Sequence, residues 1–485
     1  MSLKTIVILL DSLNRHMLDA YGQPFAKTPN IDRLAAKSVV FDNHWLGSAP
    51  CMPARRDIMT GRLNFLERPW GPIEPFDVTL PELLRKDNVF THITTDHNHY
   101  FETGGENYCQ AFNSWEFYRG QEFDPWVSRA AGTSLPETFL GRAAAQYELN
   151  RTRFAAASDY STPQTLASAC RWLEDNEGAD NYFLMVEGFD PHEPFDCSQE
   201  FLDLYDDDYT GPRFDWPKYA KVTESDEAMA HVRRRYAATL TMADHWLGKL
   251  LDVFDSQSLW EDTMVIFTTD HGHMLGEHGY AGKNYMHAYN ELAHIPLMIH
   301  VPGGHGAGTR CAALTQNIDL MPTILDYHGC AVPDNLHGKS LRGVLEGTMA
   351  SVRDTALFGW FGSAVNLTDG HFTYFRAPVA SNEPLNMYGA IPTTLWRFIG
   401  RENPSAISMG RFLEYTDYPV YRIPMPKQRP EEVAESLLFD LDTDYAQEHP
   451  LQSAELEGKL VVQLRAALAQ HQSPQEQYAR LGLED

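Results

Sequence analysis

Carboxylate and imidazole side chains directly follow two apolar runs of the chain. Asp11 comes after residues 6–10, and the pair Asp270-His271 comes after residues 265–269. In open parallel sheets, ligands bind beyond the carboxyl ends of the strands, so these side chains are candidates for a binding site. A single Asp at a strand end more often caps the next helix. Two such positions with an adjoining histidine favour a site for Ca²⁺, Mg²⁺, Mn²⁺ or Zn²⁺, and the spacing alone does not distinguish these ions.

A thiol stands at the predicted start of a helix. In the segment 51–62, Cys-Met-Pro-Ala-Arg-Arg-Asp-Ile-Met-Thr-Gly-Arg, Pro53 fits the first turn and Gly61 can end the helix. We therefore expect Cys51 at or just before the helix N-terminus, where free N–H groups favour an anion. Arg55, one turn later, adds a planar fork for a tetrahedral oxyanion. A thiol at this place would be an activated nucleophile or the lining of an anion pocket, and a structural cysteine is the alternative.

Alternating strands and helices have to position these residues. Apolar and β-branched runs predict strands at residues 5–10, 89–94, 182–186, 264–268 and 297–301. Amphipathic spacing predicts helices that begin at Thr28-Pro29, that span 163–173 and 225–254, and that lie near 456–468. Apolar strands that alternate with helices indicate an α/β fold with a mostly parallel sheet covered on both faces. The alternation ends near residue 350, so we expect a large domain over residues 1–350 and a smaller C-terminal α+β subdomain over residues 351–485.

The composition excludes several other classes of protein. The 485 residues are 43% hydrophobic and 22% charged, which is typical of a globular chain and not of a disordered one. The net charge of −27 repels phosphate backbones and anionic headgroups, so we expect neither nucleic acid nor a membrane as partner. With no apolar stretch of ~20 residues, no visible signal peptide and no CxxC pair among six cysteines, we expect a cytoplasmic protein with reduced thiols. The 12% aromatic content leaves a homo-oligomer open.

The segment around the thiol forms a specific pattern. Cys51-x-Pro53-x-Arg55, followed by Thr-Gly-Arg at residues 60–62, resembles the signature of the sulfatase family, and the likeness extends over nearly the whole chain. The resemblance implies the alkaline phosphatase-like fold and a metal-dependent hydrolase of sulfate esters. It also implies that a formylglycine-generating enzyme oxidises Cys51 to formylglycine.

The implied formylglycine gives the site chemistry that a thiol lacks. Its hydrate carries two hydroxyl groups on one carbon. One oxygen attacks the sulfur in line and expels the alcohol, and the other then loses its proton, re-forms the carbonyl and releases sulfate. A cysteine or serine could form the same ester but could not release it in this way. The resemblance gives Arg55 the role of steadying the hydrate.

The resemblance extends to a metal site and to a lysine. Asp11 matches the first metal ligand of the family, and Asp270-His271 match the second ligand pair. Cys51 joins them through its modified side chain. We expect one divalent ion there, Ca²⁺ in the first place, with Mn²⁺, Mg²⁺ and Zn²⁺ as alternatives. Lys283 matches a lysine that holds a nonbridging substrate oxygen, where its charge offsets developing negative charge, and an exposed loop lysine is the alternative.

Three histidines are candidates for contact with the substrate. His192 follows the predicted strand at 182–186 and matches a histidine that binds a substrate oxygen, although a histidine flanked by prolines is also an ordinary loop residue. Many sulfatases carry Gly-Lys-x-His where residues 94–100 of this chain read Thr-Thr-Asp-His-Asn-His-Tyr, without the lysine. We expect His97 to be the leaving-group acid or a substrate contact, with His99 as second choice. We do not expect the two histidines to act together.

Two departures from the family pattern bear on the substrate. Many sulfatases have two adjacent aspartates where this chain has Asp11-Ser12, and Asp-Asn where it has Asp270-His271. Both changes resemble the branch of phosphonate monoester hydrolases and choline-sulfatase-like enzymes. We expect arylsulfatase-like hydrolysis of small sulfate monoesters, with hydrolysis of phosphonate monoesters or phosphodiesters by the same nucleophile as the alternative. A non-catalytic binding protein is the third hypothesis, and the complete set of site residues disfavours it.

Overall fold

The computed structural model describes residues 3–426 and 431–484. Its strands are β1 Lys4–Leu10, β2 Val39–Phe41, β3 His44–Trp45, β4 Ser48–Ala49, β5 Phe90–Thr95, β6 Ser114–Phe117, β7 Tyr182–Gly188, β8 Ala220–Lys221, β9 Thr263–Thr268, β10 Met274–Leu275, β11 Tyr280–Gly282, β12 Leu297–His300, β13 Arg310–Cys311, β14 Thr315–Gln316, β15 Ala356–Trp360, β16 Val365–Thr368, β17 Phe372–Arg376, β18 Asn386–Gly389, β19 Ser408–Gly410, β20 Val420–Pro424 and β21 Leu437–Asp440. Its α-helices are α1 Pro29–Ala36, α2 Cys51–Thr60, α3 Leu80–Lys86, α4 Asn107–Gln110, α5 Ala145–Arg151, α6 Ser161–Asp175, α7 Gln199–Leu202, α8 Asp226–Ser256, α9 Asn290–Ala293, α10 Leu320–Tyr327, α11 Arg342–Leu345, α12 Ala454–Gln470 and α13 Glu476–Arg480. Every strand and helix predicted from the sequence is present among them.

The largest sheet has the strand order β13-β2-β12-β9-β1-β7-β5-β6. β1 lies at its centre and runs parallel to β7 and β9, and β5 runs parallel to β7 and β6. The prediction of a mostly parallel sheet is thus confirmed. β12 is the exception, because it pairs antiparallel with both β9 and β2. The connection between β9 and β12 contains the short strands β10 and β11 and the four-residue helix α9. It lacks the long crossover helix that usually returns a chain to a parallel position.

Helices cover both faces of this sheet, and β1 shows the division residue by residue. Ile6, Ile8 and Leu10 pack into a core with side chains of α1, α6 and α8. Val7 and Leu9 pack into a second core with side chains of α2, α3 and α10. Successive side chains of a strand point to opposite faces, so an unbroken apolar run is what a doubly covered strand requires. None of the described helices is long and apolar enough to cross a membrane.

A second sheet with the order β21-β17-β16-β15-β4 gathers strands from the region after residue 350. Its edge strand β4 comes from the N-terminal region and pairs in parallel with β15, Ser48 beside Gly359 and Ala49 beside Trp360. The helix α12 packs against this sheet through Leu460 and Leu464. The pairing of β15 with β4 therefore holds the segment just before Cys51 against the C-terminal region.

Candidate active site

Adjacent parallel strands deliver acidic side chains to one edge of the large sheet. β1 ends at Leu10 and is followed by Asp11, and β9 ends two residues before Asp270. β7, on the other side of β1, carries Glu187 next to its last residue. All three carboxylates are fully buried. The carboxyl edge of the sheet is thus the location that the sequence predicts for the site.

The helix α2 begins at Cys51 and ends where Gly61 adopts a left-handed φ of 64°, as the sequence predicts. A residue of the same helix holds the segment before its start, because Asp57 accepts hydrogen bonds from the backbone N–H and the hydroxyl of Ser48. Burial raises the pKa of Asp57 to about 7. Cys51 is only 2% exposed, and its side chain points toward the carboxylates at the sheet edge.

The predicted metal ligands converge. One ligand atom each from Asp11, Cys51, Asp270 and His271 lies within 4.8 Å of all the others. Cys51 Sγ is 3.2 Å from His271 Nε2 and 3.9 Å from Asp11 Oδ1. Burial lowers the pKa of His271 to about 4, so its imidazole is neutral, and burial together with Asp11 raises the pKa of the Cys51 thiol well above its usual value. Two carboxylates with a neutral imidazole are a donor set that fits a divalent cation.

Arg55 binds three carboxylates at once. Its Nε donates to Glu187 Oε1 at 2.9 Å and its Nη1 to Asp270 Oδ2 at 2.6 Å, and its Nη2 lies 2.9 Å from Asp11 Oδ2. The sequence predicts that the guanidinium group of Arg55 binds an oxyanion. In the structure, carboxylates from three strand ends occupy its N–H groups instead. Burial opposes the charge, but Glu187 and the two aspartates raise the pKa of Arg55 well above its usual value. Three carboxylates share one guanidinium, and a divalent cation would neutralise the surplus negative charge.

Lys283 lies inside the site and not on an exposed loop. Its Nζ donates to Ser12 Oγ at 2.8 Å and is 3.6 Å from Cys51 Sγ. Burial would lower its pKa, but Cys51 and Glu193 hold the pKa above its usual value, so the ammonium stays charged. Ser12, at a left-handed φ of 60°, also donates through Oγ to Asp11 Oδ1 at 2.8 Å. Ser12, which stands where the family pattern has an acidic residue, thus links Lys283 to Asp11, the first predicted metal ligand.

His97 is buried beside the predicted metal ligands. Its Nδ1 is 3.8 Å from Asp11 Oδ2, and its Nε2 is 3.3 Å from Met52 Sδ. Burial and the Arg55 guanidinium hold the pKa of His97 well below its usual value, so the imidazole is uncharged.

His99 lies on the same side as His97. The backbone forms a 3₁₀ turn over Asn98–Phe101, and the ring centroids of His97 and His99 are 5.2 Å apart. His99 Nδ1 is 3.0 Å from Glu102 Oε1, and Nε2 is 3.2 Å from Glu122 Oε2. Burial opposes protonation, but the hydrogen bonds to these two glutamates raise the pKa of His99 to about 9. Both ring nitrogens are therefore engaged.

His192 is oriented by its own backbone neighbour. Its Nδ1 lies 2.7 Å from the carbonyl oxygen of Glu193, which can only accept, so Nδ1 carries the proton and Nε2 is left for other contacts. The Glu193 carboxylate lies 3.1 Å from His273 Nε2 and accepts a hydrogen bond from the Tyr219 hydroxyl. His192 thus has a fixed tautomer beside a buried carboxylate.

Sequence reasoning missed two buried acids of the site. Glu187 directly follows the apolar run at 182–186, so the rule that selected Asp11 would have selected it as well. Glu122 had no such signal. It is 5% exposed with φ of 38°, in a loop organised by Asp124, which accepts hydrogen bonds from Arg119 and from the N–H of Gly120.

Known proteins resemble this chain in sequence and fold. The family model described as Sulfatase matches residues 4–330. A choline-sulfatase of Rhizobium meliloti (strain 1021) is 26% identical over 360 residues, which cover 68% of this chain and 68% of that protein. The multifunctional alkaline phosphatase superfamily protein PehA of Trinickia caryophylli is 27% identical over 384 residues, 67% of this chain and 73% of that protein. The phosphonate monoester hydrolase structure of Agrobacterium radiobacter matches with a TM-score of 0.69 and 19% identity over 97% of this chain and 96% of that one, which confirms the predicted alkaline phosphatase-like fold.

Proposed function

The chain belongs to the sulfatase family, and we propose that it hydrolyses small sulfate monoesters through a formylglycine made from Cys51. The observation that carries this proposal is the convergence of Asp11, Cys51, Asp270 and His271 within 4.8 Å at the carboxyl edge of the sheet. A formylglycine-generating enzyme would be the maturation partner. A divalent cation, for which we propose Ca²⁺, would polarise the sulfate oxygens, and the hydrate of the modified residue would supply the attacking hydroxyl.

The charged residues of this chain prepare the site for an anionic ester. Arg55 holds Asp11 and Asp270 in a fixed arrangement, so that ligand positions do not have to reorganise during the reaction. Lys283, 3.6 Å from Cys51 Sγ, would bind a nonbridging oxygen of the sulfate group and offset its charge.

The histidines differ in the roles that we propose for them. His192 would contact a substrate oxygen through Nε2, because Nδ1 is held by the backbone. His97 is predicted as leaving-group acid or substrate contact, and we propose the substrate contact, because its imidazole is uncharged and lies 3.8 Å from Asp11. For His99, the second choice for a substrate contact, we propose instead that it supplies fixed positive charge, because glutamates occupy both of its nitrogens.

One observation favours a second candidate function. The ligand set includes a histidine, His271, and this feature resembles the branch with phosphonate monoester hydrolases. Cleavage of a phosphonate monoester or a phosphodiester would use the same nucleophile and the same cations. The two functions differ in the second ester or carbon substituent that the site must accommodate.

Two measurements test the proposal. In protein co-expressed with a formylglycine-generating enzyme, the mass spectrum of the tryptic peptide 38–55 should show loss of sulfur and gain of oxygen at Cys51. The same protein should cleave 4-nitrophenyl sulfate with a higher kcat/KM than 4-nitrophenyl phenylphosphonate, and Cys51→Ala should cleave neither. An unmodified thiol in active protein would refute the formylglycine mechanism, and a large excess of the phosphonate rate would reverse the ranking of the two functions.

We also propose that residues 1–350 form the catalytic domain and residues 351–485 a smaller subdomain. The large sheet lies entirely in the first part, and the pairing of β4 with β15 joins the second part to it.

A further inference from the structure

An exposed tryptophan lies at the end of a line of rings that leads into the candidate active site. The side chain of Trp396 is 67% exposed, and its ring centroid is 5.4 Å from that of Trp70. Trp70 is half-buried and meets the His99 ring edge-on at 5.0 Å. His99 in turn is 5.2 Å from His97, which lies beside Asp11. The rings therefore connect the protein surface to the metal ligands.

The turn that carries Trp396 is anchored on the catalytic part of the chain. It is a narrow hairpin with a bridge between Thr393 and Phe398. Leu395 points inward, is 1% exposed, and packs in the same core as Tyr100 and Tyr108. Its backbone φ of 67° is unfavourable for a branched side chain, and its carbonyl accepts a hydrogen bond from the Thr103 N–H. The packing of Leu395 thus fixes the position from which the next residue projects outward.

The loop that contacts the same histidine carries another exposed aromatic side chain. Phe123 is 46% exposed, packs against Trp216 at 5.1 Å, and directly follows Glu122, whose carboxylate contacts His99. A single exposed aromatic residue needs no explanation, but two indoles in contact with each other, one of which also contacts His99, form an apolar surface next to a site residue. Flat aromatic faces bind rings well because they bury large area at little cost in side-chain freedom.

Nearby charges limit which leaving groups can bind to this apolar surface. Two carboxylates, Glu102 and Glu122, flank the single positive charge of His99, and the surplus negative charge repels a leaving group that carries a further carboxylate or sulfate. The apolar surface of Trp70 and Trp396 therefore suits a neutral ring.

We propose that Trp70 and Trp396 form the subsite for the leaving group and select sulfate esters of a neutral ring, either aromatic or a pyranose. This inference rests on the proposed sulfatase function and adds the substrate class to it. The hairpin from the C-terminal region would thus determine specificity at a site whose reacting groups come from the N-terminal region.

The test compares Trp396→Ala with Trp115→Ala, a control at the 44% exposed tryptophan of the edge strand β6. Substrates are 4-nitrophenyl sulfate, N-acetylglucosamine 6-sulfate and ethyl sulfate. We expect Trp396→Ala to raise KM for one or both ring esters by about three- to tenfold, with little change in kcat, and to leave ethyl sulfate unaffected. The ring ester whose KM rises shows whether the subsite binds an aromatic ring or a pyranose. Trp115→Ala should change none of these constants.

Calorimetric binding of the free ring alcohols, phenol and N-acetylglucosamine, provides a readout that does not depend on turnover. Affinity should fall in Trp396→Ala and be retained in Trp396→Phe, with the thermal unfolding midpoint checked for each variant. Unchanged KM and unchanged binding for both rings, or an equal loss on ethyl sulfate, would overturn the subsite. If the wild-type protein cleaves no sulfate ester, the proposed function fails, whereas ring binding still tests Trp396.

Discussion

Arg55 Nη1 and Asp270 Oδ2 lie 2.6 Å apart in the interior, and neither side chain is more than 1% exposed. The same guanidinium contacts Glu187 and Asp11, so one side chain of the helix α2 connects the ends of three neighbouring strands. When a buried charge of this kind loses its partner, water cannot take the place of that partner.

Arg55→Lys should lower the free energy of unfolding by about 3–5 kcal/mol, because an ammonium cannot pair with three carboxylates in the planar geometry of a guanidinium. Urea unfolding monitored by circular dichroism measures the change. The control is Arg33→Lys, where the arginine pairs with the exposed Asp252 and Asp255 and the expected change is below about 1 kcal/mol. Equal changes in the free energy of unfolding for the two substitutions would show that the buried Arg55 cluster contributes no more to stability than an exposed ion pair.

Asp270→Asn should weaken the binding of a divalent cation by more than about tenfold, because a charged ligand oxygen becomes neutral. Metal analysis after dialysis and calorimetric titration with Ca²⁺ measure this loss directly. Asp262→Asn is the matched control, since Asp262 lies at the opposite end of β9 and pairs with Lys4 at the surface. Retention of the ion by the Asp270 variant would contradict the assignment of this ligand.

Glu122→Gln should change the pH profile of kcat/KM. With two carboxylates His99 keeps its proton up to about pH 9, and removing one carboxylate lowers the pKa of His99. Activity that depends on the charged imidazole should therefore decline about one pH unit earlier as the pH rises. Glu106→Gln, at an exposed position nearby, should retain the wild-type profile. An unshifted profile in the Glu122 variant would exclude a role for the charge on His99.

His471 should make the protein less stable in acid. Burial, together with the charges of Arg353 and Arg62, lowers its pKa to about 3. The folded pKa is below the unfolded value of about 6.5, so the unfolded chain binds more protons between these limits and the free energy of unfolding falls as the pH falls. The contribution of His471 to this slope is at most about 1.4 kcal/mol per pH unit.

Urea unfolding at several pH values between 7.5 and 4 should therefore give a shallower slope for His471→Gln than for the wild type. His449→Gln, at a well-exposed histidine, should leave the slope unchanged. Identical slopes for the wild type and the His471 variant would show that this residue does not titrate as its burial requires.

The predictable part of the site consists of residues marked by their position in a local pattern. Asp11 and Asp270 follow apolar runs, and Cys51 begins a helix bounded by a proline and a glycine. Glu122 could not be found in this way, because its importance lies in its contacts with His99 and His192. Those contacts depend on a loop whose course is set by distant hydrogen bonds, such as those from Asn150 to the carbonyls of Gly120 and Asp124.

The amino-acid sequence by itself determined which elements form and which reactive groups stand at their ends. Strands, helices and helix starts depend on consecutive residues, and so does the pattern around Cys51. Only the tertiary structure decided the charge state of His97 and His99, the carboxylates that fill the Arg55 fork, and the place of Trp396 beside Trp70. These properties depend on the dielectric and on neighbours far away in the chain, and an imidazole or an indole acquires them only when the folded backbone brings those neighbours into contact.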